Sequence, residues 1–253
     1  MKEEFEQLFN KKGFHIGILT LIIFLVIIFA GFISLKYQVE GEKNTPFIIS
    51  KVLVISSAEG KDREQKNEEM KWNFDINQNN DIYVYIDKNE KNGKSDSISE
   101  VNIKNLEIKK ENNKGKVKFY KPDITNNEVI FSNKNEFETN DFIYLAEEKT
   151  DMKNMKISNQ GGIVVFRCAN NSISEYMGNE EEINHDLLLK KSNVNKEEIR
   201  FNIKFNLIIK LDSGKNYETT ISLDLPTDNI IEEGTTSKEY SESEGFVLKR
   251  IKE

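Results

Sequence analysis

Between Gly13 and Leu35 the chain carries no Asp, Glu, Lys or Arg, and the twenty residues "IGILTLIIFLVIIFAGFISL" from Ile16 to Leu35 are nearly all aliphatic or Phe. At about 1.5 Å of rise per helical residue such a run is roughly 30 Å long, the thickness of a bilayer's hydrocarbon core. A cleavable signal peptide needs an apolar stretch of only about 7 to 15 residues followed by small residues at the cut. Here the run is longer and "FAGFISLKYQ" offers no such cut site. The single cysteine, Cys168, is far from the run, so a lipoprotein attachment cysteine is absent as well. These features predict an uncleaved single-pass transmembrane helix over residues 14–35, with the lipid bilayer as its partner. Lys2, Lys11 and Lys12 precede the span and Lys36 and Lys43 follow it. The adjacent Lys11-Lys12 pair predicts a cytoplasmic tail over residues 1–13 and an extracytoplasmic domain over residues 36–253, at the cell membrane. Phe5, Leu8 and Phe9 share one helical face in that tail, the pattern of a short amphipathic turn on the inner leaflet. Gly13 and Gly17 match the small-residue spacing of close helix packing, which makes them the candidate contact of a homodimer.

Charge narrows the partners of the remainder. The chain has 36 basic and 43 acidic residues, and with three of each in residues 1–35 the whole net charge of −7 falls on residues 36–253. A negative domain argues against nucleic acid and anionic headgroups as main partners. About a third of its residues are apolar, which predicts a thin core with long solvated loops. One cysteine leaves no internal disulfide framework.

Period-two alternation dominates residues 36–253. In "RFNIKFNLIIKL" the side chains Phe201, Ile203, Phe205, Leu207, Ile209 and Leu211 share one parity, with Arg200, Asn202, Lys204, Asn206 and Lys210 opposite. That is the pattern of a half-buried strand. "NYETTISLDLP" repeats it, and the intervening "DSGKN" supplies a hairpin turn. "KWNFDI" and "DIYVYI" across "NQNN" predict a second hairpin, and "VNIKNLEI" with "KVKFY" across "KKENNKG" a third. Apolar parity changes between Ile103 and Leu106, which predicts a bulge near Asn105. Further strands are expected at "SKVLVIS", "EVIFS", "DFIYLAE", "GGIVVFRCA" and "EGFVLKRI". Many short strands between Asn, Asp, Lys and Gly turns predict an all-β fold, an antiparallel β-sandwich of Ig-like or similar type behind the membrane helix. "GNEEEINHDLLLKKSNVN" departs from this: acidic residues at its start and Lys190-Lys191 near its end predict a short helix, and a join between two β sub-domains near residues 178–198 is the alternative.

Chemistry is sparse. His15 opens the membrane span and His185 lies in the predicted helix, so no metal-ligand spacing forms. Cys168 shares parity with Val164 and Phe166, which predicts a core-facing thiol rather than a nucleophile. The loop "DKNEKNGKSDSISE" offers oxygens from Asp87, Asn89, Asn92 and Asp96, the one candidate calcium loop. Lys91 stands where a fifth-position oxygen belongs and further lysines lower the loop's negative charge, so a solvated hairpin loop is the simpler expectation. No catalytic motif and no cofactor motif is readable. "NNS" at Asn170 matches a glycosylation acceptor, a pattern common by chance.

The segments "KYQVEGEKNTPFIISKVLVISSAEG", "WNFDINQNNDIYVYI" and "SGKNYETTISLDLPTDNIIEEGTTSKE" resemble uncharacterised single-pass membrane-anchored proteins of clostridia and related low-GC Gram-positive bacteria. The resemblance implies a cell-envelope setting and transfers no site residue. Two functions are compatible with these observations. One is a non-catalytic binding or scaffolding module that engages an envelope protein or a wall component. The other is an anchored envelope hydrolase working through carboxylates.

Overall fold

The computed structural model describes residues 12–43, 45–63, 71–91, 95–110, 114–122, 131–137, 141–146, 155–241 and 245–251. Helix α1 (Lys12–Lys43) contains a 21-residue stretch, His15–Leu35, that is long and apolar enough to cross a membrane and is not buried against any other part of the chain. No charged side chain interrupts that stretch and no polar face runs along it, so only an apolar surrounding satisfies its surface.

The rest is mostly β, arranged in two sheets dominated by antiparallel pairing. The strands are β1 (Phe47–Asp62), β2 (Trp72–Lys88), β3 (Ile98–Lys110), β4 (Lys116–Pro122), β5 (Phe131–Phe137), β6 (Phe142–Ala146), β7 (Met155–Ile157), β8 (Gly162–Gly178), β9 (Phe201–Leu211), β10 (Asn216–Leu225), β11 (Thr235–Ser241) and β12 (Lys249–Ile251). Their order is β11-β1-β2-β8-β4-β5 in the first sheet and β12-β10-β9-β3-β6-β7 in the second, with β6 and β7 parallel. One core draws side chains from both sheets. Phe166 of the first sheet meets Phe205 of the second edge to face, with ring centroids 5.3 Å apart, and Phe142 of the second packs on Phe166 at the same separation.

The hairpin read from alternation is present: β9 and β10 pair from Phe201↔Leu225 to Lys210↔Asn216, and Gly214 turns the loop with φ +76°. The bulge is present too, because the β3 to β9 register shifts between Lys104 and Glu107 and Asn105 takes φ +55°. Cys168 is fully buried in the shared core, where burial pushes its thiol pKa well up.

Two expected hairpins are replaced by other connections. Residues Trp72 to Lys88 form one strand that runs straight through "NQNN". Gln78 and Asn80 are fully buried there, and both polar ends of the Asn80 amide have partners. Ser56 Oγ donates to Asn80 Oδ1 at 2.8 Å and Asn80 Nδ2 donates to the Cys168 carbonyl at 2.9 Å, while Thr227 N donates to Ser56 Oγ at 3.0 Å. An asparagine run signals a turn only when its side chains have no better acceptor than their own backbone. The β3–β4 connection likewise is no hairpin: β3 belongs to the second sheet and β4 to the first. Gly115, just before β4, has φ +76°, and a Cβ there would lie 2.3 Å from Asn170 Oδ1.

The helical insertion has two parts. A 3₁₀ turn at His185–Leu187 leads into α2 (Leu188–Lys191), and α3 (Lys196–Ile199) follows with Asn195 and Glu198 forming a capping box. Leu188, Leu189, Val194 and Ile199, with Ile230 from α4 (Ile230–Glu233), pack on Phe74, Ile76, Ile173 and Tyr176. This second apolar cluster covers the far end of β2 and β8. The "EVIFS" segment lies largely among residues 123–130, outside the described residues.

Candidate functional site

The outer face of the first sheet, away from the shared core, carries a cleft of about 250 Å3. Its residues come from adjacent strands and share parity: Glu59 and Lys61 of β1, Asn77 and Asn79 of β2, Arg167, Ala169 and Asn171 of β8, Tyr120 of β4 and Phe131 of β5. Register explains the assembly. Asp81 stands opposite Arg167, Asn79 opposite Ala169, and Arg167 opposite Tyr120. Ala169 is the short side chain in that row, and the space above it is the floor of the cleft.

A bulge in β8 completes the rim. The β2 to β8 register moves from Gln78↔Asn170 to Ile76↔Ser174, so Asn171 to Ile173 together oppose Asn77. Ser172 adopts φ +54° and its N–H donates to Asn77 Oδ1 at 2.9 Å. Bulges of this kind re-aim side chains, and here Asn171 turns toward Tyr120, donating from Nδ2 to the phenol oxygen at 3.0 Å.

Arg167 is the centre of the site. Its Nε and Nη2 donate to the two Asp81 carboxylate oxygens at 2.6 and 2.9 Å, a bidentate fork. The side chains of this pair are only 21% and 17% exposed, which sets it apart from the surface ion pairs elsewhere. Burial works against the guanidinium charge, yet the hydrogen bonds and charge of Asp81 outweigh it and hold the Arg167 pKa above its ordinary value. The guanidinium also sits 4.6 Å from the Phe131 ring centroid. Across the cleft, Asn79 Nδ2 donates to Glu59 Oε2 at 2.7 Å. Fixed planar polar groups beside aromatic carbon equip such a surface to bind and orient a small polar ligand.

The residues singled out from sequence lie elsewhere. Asp87 is exposed at the end of β2, Asn89 donates from Nδ2 to the Thr45 carbonyl at 2.9 Å, and its Oδ1 accepts from Lys91 N at 3.2 Å. Asp96 accepts from Ser97 N at 2.9 Å and from Ser213 Oγ at 2.6 Å, and Asn92 lies outside the described residues. Among the described residues no three His, Cys, Asp or Glu side chains gather around a common point. Asn170 is fully buried, so the "NNS" match is no accessible acceptor. His185 is exposed and packs near Phe74 with ring centroids 5.7 Å apart. Gly13 and Gly17 fall on the first turns of α1 with open space around them.

None of the cleft residues was flagged by sequence motif. The usable signal was Arg167, a lone charge inside the apolar run "GGIVVFRCA", and its partner Asp81 is 86 residues away. Comparison with protein-family models, with curated proteins and with solved structures returns no match for the chain.

Proposed function

We infer that this chain is a membrane-tethered, non-catalytic binding module of the cell envelope. In this reading α1 crosses the bilayer with the tail of residues 1–13 inside, and residues 36–253 stand outside as an antiparallel β-sandwich that presents the cleft around Arg167. The observation that carries it is the state of the cleft's acidic groups. Asp81 is held by both arms of Arg167, and Glu59 accepts from Asn79. Carboxylate hydrolysis requires one acid to hold a proton and a second to act as base or nucleophile, whereas Asp81 is held on both oxygens by Arg167 and only one oxygen of Glu59 is left open. The envelope setting is supported by the resemblance to single-pass proteins of low-GC Gram-positive bacteria and by the Lys11-Lys12 flank of the span.

A fusion of alkaline phosphatase to the C-terminus tests the placement. The expected result is phosphatase activity in intact cells. Activity only from a cytoplasmic reporter fused at the same position refutes it.

A further inference from the structure

We propose that the cleft on the outer face of the first sheet binds a neutral, polyhydroxylated ligand, a saccharide unit. The proposal rests on the binding-module reading and adds the ligand's chemistry.

Charge balance comes first. The cleft and its immediate support hold two cations, Lys61 and Arg167, and two carboxylates, Glu59 and Asp81. A phosphate or carboxylate ligand entering there meets the Glu59 charge as well as the cations, and the Asp81 carboxylate already offsets the Arg167 charge. A neutral ligand meets no such opposition. Hydrogen-bonding capacity comes second. A sugar hydroxyl both donates and accepts, so it needs donors and acceptors side by side. Arg167 Nη1 and Asn77 Nδ2 are donors, Glu59 Oε1 and Asn171 Oδ1 acceptors, and none of the four atoms has a protein hydrogen-bond partner among the described residues.

Shape comes third. The carbon face of a sugar ring is apolar and packs on aromatic carbon, and Phe131 supplies that carbon beside the polar atoms, above the short Ala169. A volume of about 250 Å3 lies just under the range of drug-sized pockets, about 300 to 1,000 Å3, which suits one ring of a longer chain running out over the open side. Every group sits on a strand and most are locked by a second hydrogen bond, so binding orders little that is not already ordered.

The test uses the full chain, purified without glycoside detergents because their sugar headgroups would compete, and reconstituted in phosphatidylcholine nanodiscs. Calorimetry and saturation-transfer NMR are run with chitotetraose, cellotetraose, mannotetraose and maltotetraose, and with tetragalacturonate as the anionic comparison. At least one neutral tetrasaccharide is expected to bind with millimolar affinity or better, insensitive to salt. Glu59→Gln and Asn171→Ala are each expected to weaken it by about tenfold with thermal melting unchanged. The proposal is overturned if no neutral tetrasaccharide binds, if only tetragalacturonate does, or if both variants bind like the parent. Chromatography of the recovered sugar separates the two readings. A shortened product, lost in the same variants, supports the ligand class and overturns the non-catalytic role. Because the nanodisc exposes both sides, a failed topology test leaves this result untouched.

Discussion

Strands β8 and β9 sit at the centres of their sheets and are buried differently. Along β9 burial is one-sided from Phe201 to Leu207: Phe201, Ile203, Phe205 and Leu207 point into the shared core at 1% exposure or less, while Asn202, Lys204 and Asn206 face outward, and only beyond them, at Ile208, is an outward residue buried. Those outward residues form a ladder with β10, in which Asn202 Nδ2 donates to Asp224 Oδ1 at 2.9 Å and Thr220 Oγ1 to Asn206 Oδ1 at 3.0 Å, half-buried asparagines bonded to exposed partners. Along β8 burial is two-sided. Val164, Phe166 and Cys168 are buried toward the core, and Val165 and Ala169 are buried on the outer face as well, with Arg167 between them. A ladder in water contributes little because each bond replaces one made with solvent. A covered row makes the same groups directional and costly to disturb. The difference explains why the cleft lies over β8.

The largest expected effect sets the inward reference. Phe205→Ala removes a fully buried ring and costs about 3 to 5 kcal/mol in urea unfolding of the full chain, followed by the sheet signal in circular dichroism. A loss near zero would show that the inward row of β9 is not core and would dissolve the comparison.

Tyr144→Phe comes next. Pairing of β4 with β8 stops at Tyr120↔Arg167, and beyond it the Tyr144 hydroxyl of β6 takes the place of a strand, donating to the Val165 carbonyl and accepting from Val165 N at 2.9 Å. Burial pushes the phenol's pKa up and keeps it protonated as a donor. Losing the oxygen strands two buried backbone groups, at about 1 to 3 kcal/mol. Faster amide exchange at Val165, with the β9 amides unchanged, is the specific mark.

On the outer row of β8, Arg167→Met and Asp81→Asn are each expected to cost about 1 to 2 kcal/mol, less together than their sum, because each single change leaves the partner unpaired in a partly covered place. Strict additivity in the double-mutant cycle would place that row in the same class as the β9 ladder.

Sheet two offers the weaker counterpart. Glu100 pairs with Lys210 at 2.7 Å. Burial raises the carboxyl's pKa, but hydrogen bonds from Lys210 and Asn102 outweigh it and hold the value below the ordinary 4.5. A depressed carboxyl stabilises the fold above its ordinary value, and that contribution disappears as pH falls through the folded one. Stability of the parent therefore drops as pH falls below about 4.5, and Glu100→Gln flattens the drop by under about 1 kcal/mol. Smallest of all, Lys204→Ala changes stability by no more than about 0.5 kcal/mol, since that side chain is exposed. A larger cost would mean the outer row of β9 is covered too.

What could be read without coordinates was local. The apolar run of α1, the parity of Phe201 to Leu211, the "DSGKN" turn and the slip at Asn105 each depend on neighbours within a few residues, where backbone geometry and the period of the side chains suffice. "NQNN" and "KKENNKG" misled because both look like turns by composition. In the folded chain the first buries its Asn80 amide against Ser56 and the Cys168 carbonyl, and the second lies in a crossing between sheets.

By itself, the chain's order of residues determined that there is a long apolar helix and a β-rich remainder whose alternating strands, β9 and β10 above all, have an inward row. Tertiary structure alone decided which outward row carries the cleft. Asp81 and Arg167, Asn77 and Ser172, Tyr120 and Asn171 are each separated by at least 51 residues, and they meet only because β2, β8, β4 and β5 are neighbours in one sheet. Period and charge report the face a side chain occupies. They carry no record of which distant strand lies beside it, because that choice is made by the summed packing of both sheets rather than by any local stretch.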